Sequence, residues 1–280
     1  MRAPFAAVPL LVLAACSGGA PASDATPAPS AQASAKGDDT ATQAPPAPPA
    51  PSTPAKGVAR SVKEDNALYS FEYSYPAAAA TIPELKAWLD AHLDKQKAEL
   101  VADAKDGRAE AKKGGFPYNA YEAAWDWQVV ADLPGWLSLS TEVYSYSGGA
   151  HPNHTFATVL WDKAANARRE PVSLFASPAA LSKAIRNPFC AALDRERAKR
   201  REGDDAGSGI AEFDECIDPV KEFVILGSSN HRTFDRIGVL VPPYDAGPYV
   251  EGSYEVTLPV TQAVLDQVRP EYRASFSLGH

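Results

Sequence analysis

The sequence predicts an α+β fold over residues 58–280, a curved, largely antiparallel sheet with helices packed on it. Short runs in which apolar and polar side chains alternate recur through this part of the chain, as in strands with one buried face. Between them lie segments whose apolar residues recur at helical spacing. The first 57 residues have a different composition, and we expect them to lie outside the fold.

Residues 1–15 have the pattern of an export signal that ends at Cys16. Arg2 supplies a positive charge, and the apolar run over residues 5–13 is too short to remain as a membrane-spanning helix. The small residues before Cys16 resemble the lipobox of bacterial lipoproteins, in which this cysteine is acylated. A plain secretory leader is the alternative. With Ser17 next in the chain, we expect a lipid anchor in the outer membrane, facing the periplasm.

Residues 16–57 are predicted to be a disordered linker behind the lipidated cysteine. After Cys16 they contain no aromatic residue and no Ile, Leu or Val, so nothing offsets the entropy lost on ordering. Within them, residues 44–51 repeat Ala-Pro-Pro, which favours a stiff polyproline II helix. This run could dock on a partner's aromatic groove, but we interpret it as a plain spacer.

The charge balance argues against a nucleic-acid partner. The chain has 27 Lys and Arg residues against 35 Asp and Glu residues, a formal net charge of −8. Binding to phosphates would require a basic surface.

The folded part begins with a strand over residues 69–75, where Tyr and Phe alternate with Ser and Glu. Two further alternating runs, joined by a turn at residues 132–135, are interpreted as a hairpin. The predicted strands are residues 69–75, 125–131, 137–143, 154–161, 223–226, 234–241 and 254–258.

Three helical regions are predicted. The first covers residues 82–112, with a capping box from Thr81 to Glu84 and a stop at two glycines. The second opens at Ser177 and Pro178, is interrupted at Asn187-Pro188, and resumes over residues 189–200. The basic run over residues 195–201 is interpreted as a solvated helix end beside an exposed loop. A closing helix is expected over residues 261–268.

Two cysteines remain in the folded part, Cys190 and Cys216. An even pair in an oxidising compartment favours a disulfide, and two buried thiols are the alternative. Neither cysteine has a Cys or His close in sequence, which argues against a metal site.

The most distinctive stretch is residues 144–152, where alternating tyrosines lead into two glycines and a histidine. Gly148 and Gly149 permit a turn with positive φ, where another chain or a ligand could approach closely. His151 and His154 stand three apart, a zinc spacing on helices, but Pro152 and the strand-like surroundings argue against that site. The imidazole of His151 could instead bond backbone groups and fix the turn.

Residues 144–151, 171–175 and 244–252 resemble segments of the RsiV and PdaC families. The first is a membrane-anchored anti-sigma factor whose outer domain binds lysozyme, and the second is a peptidoglycan deacetylase that carries this module ahead of its enzyme. The resemblance implies one α+β domain over residues 58–280, with two subdomains at about 58–165 and 166–280. We find no segment here for the cytoplasmic part of the first family or the catalytic domain of the second.

The resemblance therefore implies a non-catalytic module that binds peptidoglycan or a lysozyme-like wall hydrolase, without a cofactor or metal. A cell-wall hydrolase or deacetylase-type enzyme is one alternative, and a structural lipoprotein docking on an envelope protein is another. The tyrosines could pack the sheet or stack on a ligand. The candidate ligand-binding residues are Tyr144, Tyr146, Gly148, Gly149, His151, His154, Tyr244 and Tyr249.

Overall fold

The computed structural model of the protein describes residues 57–201 and 207–280. The predicted leader, Cys16 and the linker up to residue 56 lie outside the described residues, so the predictions made for them stay predictions. In the described ranges, none of the helices combines the length and apolar character needed to cross a bilayer.

In the described part of the chain, seven strands form the larger sheet in the order β1-β2-β3-β5-β6-β7, and β4 pairs with part of β5. All of these pairs are antiparallel except β2 with β3. The α+β prediction with a largely antiparallel sheet is therefore confirmed. The strands are β1 (Arg60–Asp65), β2 (Tyr69–Tyr75), β3 (Tyr121–Asp126), β4 (Gln128–Asp132), β5 (Trp136–Tyr146), β6 (Asn153–Asp162) and β7 (Ala167–Arg169).

A second sheet, of three antiparallel strands among the residues described, has the order β10-β9-β8. Its strand β8 lies against β4, β5 and β6 of the larger sheet. The strands are β8 (Phe223–Gly227), β9 (Arg236–Val241) and β10 (Tyr254–Pro259), close to the predicted positions.

Each sheet carries one long helix. Helix α2 buries leucines against the aromatic face of β2 and β3, including Leu89 against the layer of Phe71 and Trp125. Helix α3 buries Ile185 and Phe189 in the core over the second sheet. The helices are α1 (Ala77–Ala80), α2 (Pro83–Gly114), α3 (Pro178–Arg200), α4 (Ala211–Asp214) and α5 (Gln262–Leu265).

The ends of α2 agree with the predicted span, but the predicted capping box is wrong. Ile82 is the N-cap, and the Thr81 hydroxyl donates to the carbonyl of Ala78, 2.6 Å away, at the end of α1. The helix stops at Gly115, whose left-handed φ of 71° closes the last turn.

Helix α3 is continuous, so the predicted interruption at Asn187-Pro188 is wrong. Ser177 caps it as expected, accepting the amide of Ala180 at 3.1 Å. Pro188 lies inside the helix, and Ile185 and Phe189 on either side of it are both buried. Packing of this continuous apolar face offsets the one hydrogen bond that proline removes.

Two other predictions need correction. The strand predicted over residues 125–131 is divided between β3 and β4, because the backbone amide of Trp127 turns to the carbonyl of Ser74, 3.0 Å away. The Trp127 ring is buried there, and its Nε1 donates to the Tyr73 hydroxyl at 2.9 Å. The closing helix predicted over residues 261–268 is shorter, since α5 ends at Leu265.

The predicted disulfide between Cys190 and Cys216 is present. Its Cα atoms lie 5.5 Å apart, and it ties α3 to the segment that follows α4. The guanidinium of Arg186 also donates to the carbonyl of Cys216 at 2.7 Å.

Candidate functional site

The glycine-histidine turn joins the two longest strands of the larger sheet, β5 and β6. Tyr144 on β5 lies directly opposite His154 on β6, with ring centroids 5.4 Å apart. Gly148 adopts a left-handed φ of 81°, which explains why the turn needs a glycine there. Gly149 is exposed without a left-handed φ, and an added Cβ would meet nothing within 4 Å. Only the first glycine is thus required by backbone geometry.

The second loop of the site connects β9 to β10. Tyr244 there has a left-handed φ of 75°, a conformation that residues with a Cβ rarely adopt. Its amide donates to the carbonyl of Gly247 at 3.0 Å, which closes a tight turn. Gly252, with a φ of 69°, ends the short helical turn that carries Tyr249.

These two loops meet through aromatic rings, although His151 and Tyr244 are 93 residues apart in sequence. The His151 imidazole stacks on Tyr249 with centroids 4.0 Å apart and an interplanar angle of 26°. Tyr244 lies 5.7 Å from Tyr249, and His154 lies 6.3 Å from it. We call Tyr144, His151, His154, Tyr244 and Tyr249 the ring cluster.

Hydrogen bonds fix the orientation of His151. Its Nδ1 is 2.8 Å from the carbonyl of Pro152, which can only accept, so Nδ1 carries the proton. In the neutral ring, Nε2 then accepts from the Tyr244 hydroxyl at 3.2 Å. The sequence-based expectation of a backbone bond is met, and the same ring also joins the second loop.

Two carboxylates contact the strand side of the ring cluster. The Tyr144 hydroxyl donates to Oε2 of Glu122 at 3.0 Å, and burial together with this bond raises the pKa of Tyr144. Oε1 of Glu142 lies 3.0 Å from Nδ1 of His154. The Glu142 side chain is still 51% exposed, which leaves carboxylate oxygen available for a ligand.

A groove of about 440 Å³ runs beside the ring cluster. Its wall includes Ser253, whose hydroxyl oxygen is buried without a hydrogen-bond partner in the described structure. The lining residues are Glu142, His154, Pro243, Tyr249, Val250, Glu251, Gly252 and Ser253.

Two buried arginines at the end of α3, Arg197 and the C-cap residue Arg201, lie beneath the groove, so the interpretation of residues 195–201 as a solvated helix end is wrong for these two. Arg197 is 3% exposed, and the side chain of Arg201 is 8% exposed. Arg201 bonds both oxygens of Glu251, at 2.8 and 3.1 Å. Burial opposes ionisation of Glu251, but bonds from Arg201 and Tyr254 hold its pKa below the ordinary value.

The structure does not unite every candidate residue. Tyr146, on the same strand as Tyr144, accepts from the side-chain amide of Asn119 at 3.4 Å and lines a different cleft, of about 380 Å³, between β5 and α2.

Across residues 57–201 and 207–280, no group of three or more His, Cys, Asp or Glu side chains is placed to hold a metal ion.

Comparison with known proteins agrees with this architecture. Residues 62–154 match the family model described as Deacetylase PdaC. These residues run from β1 to the start of β6 and include the glycine-histidine turn. No curated protein matches the sequence.

Two solved structures are similar over most of the chain. A DUF3298 family member from Bacteroides fragilis is 13% identical, with a TM-score of 0.50, covering 78% of this chain and 96% of that one. A DUF3298 family protein from Pseudomonas aeruginosa PAO1 is 14% identical, with a TM-score of 0.48, covering 80% of this chain and 98% of that one. The first likeness shows the fold. Residues 62–154 are therefore similar to the family described as Deacetylase PdaC, within a chain that has the fold of the Bacteroides fragilis DUF3298 structure.

Proposed function

We propose that this protein is a non-catalytic, lipid-anchored envelope protein whose ring cluster and groove bind peptidoglycan. The observation that carries the proposal is the meeting of two distant loops in the His151–Tyr249 stack, beside an open groove. Aromatic rings offer flat apolar faces to the C–H faces of sugars, and their polar tips hydrogen-bond the hydroxyls.

The groove suits a ligand of this kind. Its volume of about 440 Å³ lies within the range of small-ligand sites, and its wall combines aromatic, carboxylate and hydroxyl groups. The exposed carboxylate of Glu142 can accept from sugar hydroxyls, and the unpartnered hydroxyl of Ser253 can bond an incoming polar group.

Backbone strain supports a role beyond packing. Tyr244 holds a left-handed φ of 75° while half of its surface, 50%, stays exposed. Such conformations cost about 1–3 kcal/mol and cluster at ligand sites. A residue that only closed the fold would have no need to stay exposed at that cost.

The expected anchor fits the same function. An acylated Cys16 with a linker of about forty residues would let the folded domain reach as far as ~100 Å from a membrane. The domain could then search the wall while it remains attached. Labelled palmitate should attach to the wild type and fail to attach to Cys16→Ser, and attachment to neither would remove this part of the proposal.

A lysozyme-like wall hydrolase is the second candidate ligand. The observation that favours it is the apolar tip of the β9–β10 loop, where Val250 is 90% exposed next to Tyr249. An exposed aliphatic residue beside aromatic rings is typical of protein contact surfaces.

Sedimentation with purified sacculi and capture on immobilised lysozyme test the proposal with full-length protein. We expect wild type to be retained by sacculi, and the double variant His151→Ala, Tyr249→Ala to lose most of this retention. Val129→Ala, an apolar residue on β4 that is 40% exposed, serves as the matched control and should bind normally. Capture by lysozyme alone would favour the second candidate, and retention by neither would remove both.

The family model carries the name of a deacetylase, so the same preparation should be assayed for released acetate and soluble muropeptides. We expect none above a heat-treated control. Release of either product that the His151 and Tyr249 substitutions abolish would replace the binding function with an enzymatic one.

A further inference from the structure

The β9–β10 loop, which supplies Tyr244 and Tyr249 to the ring cluster, is attached to the C-terminal end of α3 by two arginines, one in its last turn and one at its C-cap. We call Arg197 and Arg201 the arginine clamp. Both side chains are buried, at 4% and 8% exposure. Because buried guanidinium groups need several acceptors, each arginine fixes the backbone or side chains that accept from it.

Arg201 holds the Tyr249 side of the loop. Its Nε and Nη2 donate to the two oxygens of Glu251, and its Nη1 donates to Asp214 at 2.6 Å. Glu251 also accepts from the Tyr254 hydroxyl. The neighbouring Arg200 donates to the backbone carbonyl of Glu251 at 2.8 Å. Glu251 lies two residues after Tyr249, so these bonds fix the position of the Tyr249 ring that stacks on His151.

Arg197 holds the Tyr244 side. Its Nε donates to the carbonyl of Ala246 at 3.0 Å, two residues after Tyr244. Its Nη2 donates to the carbonyl of Glu215 at 2.9 Å, next to the disulfide-bonded Cys216. The covalent link between Cys190 and Cys216 thus ties the segment that carries the Glu215 acceptor to the helix that carries Arg197.

We propose that Arg201 is a positioning residue for the ligand surface: by fixing Glu251 between α3 and β10, it holds Tyr249 stacked on His151. This inference rests on the proposed function, because it assigns a purpose to the stacked arrangement. If the β9–β10 loop held Tyr249 stacked on His151 only a tenth of the time, the apparent Kd for peptidoglycan would rise roughly tenfold.

The test compares Arg201→Met with Arg201→Lys and with Lys199→Met. Lys199 lies two residues before Arg201 in an exposed pair with Glu196, with 69% of its side chain exposed, and is the matched control. Two readouts are taken on folded full-length protein: the NMR shifts of the His151 ring protons without ligand, and the affinity for purified sacculi.

We expect Arg201→Met to move the His151 signals toward those of an unstacked imidazole and to weaken sacculus binding by roughly tenfold. Lysine keeps the charge but cannot donate to two carboxylates in the same planar geometry. The His151 shifts and the sacculus affinity of Arg201→Lys should therefore lie between those of Arg201→Met and the wild type. Lys199→Met should match wild type. Unchanged His151 signals in folded Arg201→Met would overturn the proposal.

Glu251→Gln provides the second route if Arg201→Met does not fold, since it keeps the side-chain shape but removes the charge. The same movement of the His151 signals is expected, and wild-type signals would overturn the proposal. The NMR readout needs no ligand. Absence of sacculus binding by the wild type would therefore refute the proposed function while leaving the positioning role of Arg201 separately tested.

Discussion

Removal of the disulfide gives the stability prediction whose magnitude follows most directly from the structure. Cys190 and Cys216 close a loop with a sequence separation of 26 residues. On the chain-entropy model, a loop of this length constrains the unfolded chain by about 3.5 kcal/mol at 25 °C. The double variant Cys190→Ala, Cys216→Ala should therefore lose about 3.5 kcal/mol of unfolding free energy, with a fall in Tm of about 7–14 °C for a domain of this size.

The folded state should survive this change. The segment around Cys216 is still held by Arg186 and Arg197, which donate to the carbonyls of Cys216 and Glu215 at 2.7 and 2.9 Å. The loss should therefore arise chiefly in the unfolded chain, whose dimensions increase without the crosslink.

Urea unfolding followed by tryptophan fluorescence measures the effect, with circular dichroism as the second probe. The midpoint should fall, and the m-value should rise slightly because the uncrosslinked chain exposes more surface. The reduced wild type is the chemical control and should match the variant. A loss below about 1 kcal/mol would refute the reasoning, because the loop-closure constraint would then be absent or cancelled by native strain.

Three further perturbations have a definite sign. Burial lowers the pKa of His92, so the free energy of unfolding should fall as the pH drops below the ordinary value of 6.5. His92→Phe should flatten the change in Tm between pH 8 and 5, and a pH profile equal to that of the wild type would contradict this prediction. Burial beside Asp245 raises the pKa of Glu222 to about 7, so the stability that the protonated carboxyl contributes is lost as the pH rises through 7. Glu222→Gln should therefore raise Tm at pH 8 but not at pH 4, and equal changes in Tm at the two pH values would contradict this prediction. Gly148→Ala should lower the free energy of unfolding, measured in urea, by about 1 kcal/mol because Gly148 has a left-handed φ, whereas Gly149→Ala should be nearly neutral. Equal losses for the two variants would contradict the turn geometry.

The sequence predicted the elements whose cause is local. Alternation located β2 and the β4–β5 hairpin, because one buried face imposes a period of two. Ser177 located the start of α3, because a side-chain cap acts within three residues. The break at Trp127 was missed, since it depends on bonds to Ser74 and Tyr73, more than fifty residues earlier in the chain.

The candidate site was predicted as residues but not as an arrangement. His151 and Tyr249 were both singled out, yet nothing local indicates that their rings stack. The arginine clamp was missed because its acceptors in the β9–β10 loop, Ala246 and Glu251, lie about fifty residues away, while the basic run itself is typical of a solvated helix end. Continuity of α3 through Pro188 likewise depends on tertiary packing.

Titration of the full-length protein with soluble muropeptides, followed by NMR, tests the central claim most directly. We expect the ring signals of His151 and Tyr249 to shift in a saturable manner, and Tyr249→Ala to remove saturation at the same concentrations. Ring signals that stay in place up to millimolar muropeptide, or shifts confined to residues away from the ring cluster, would contradict it.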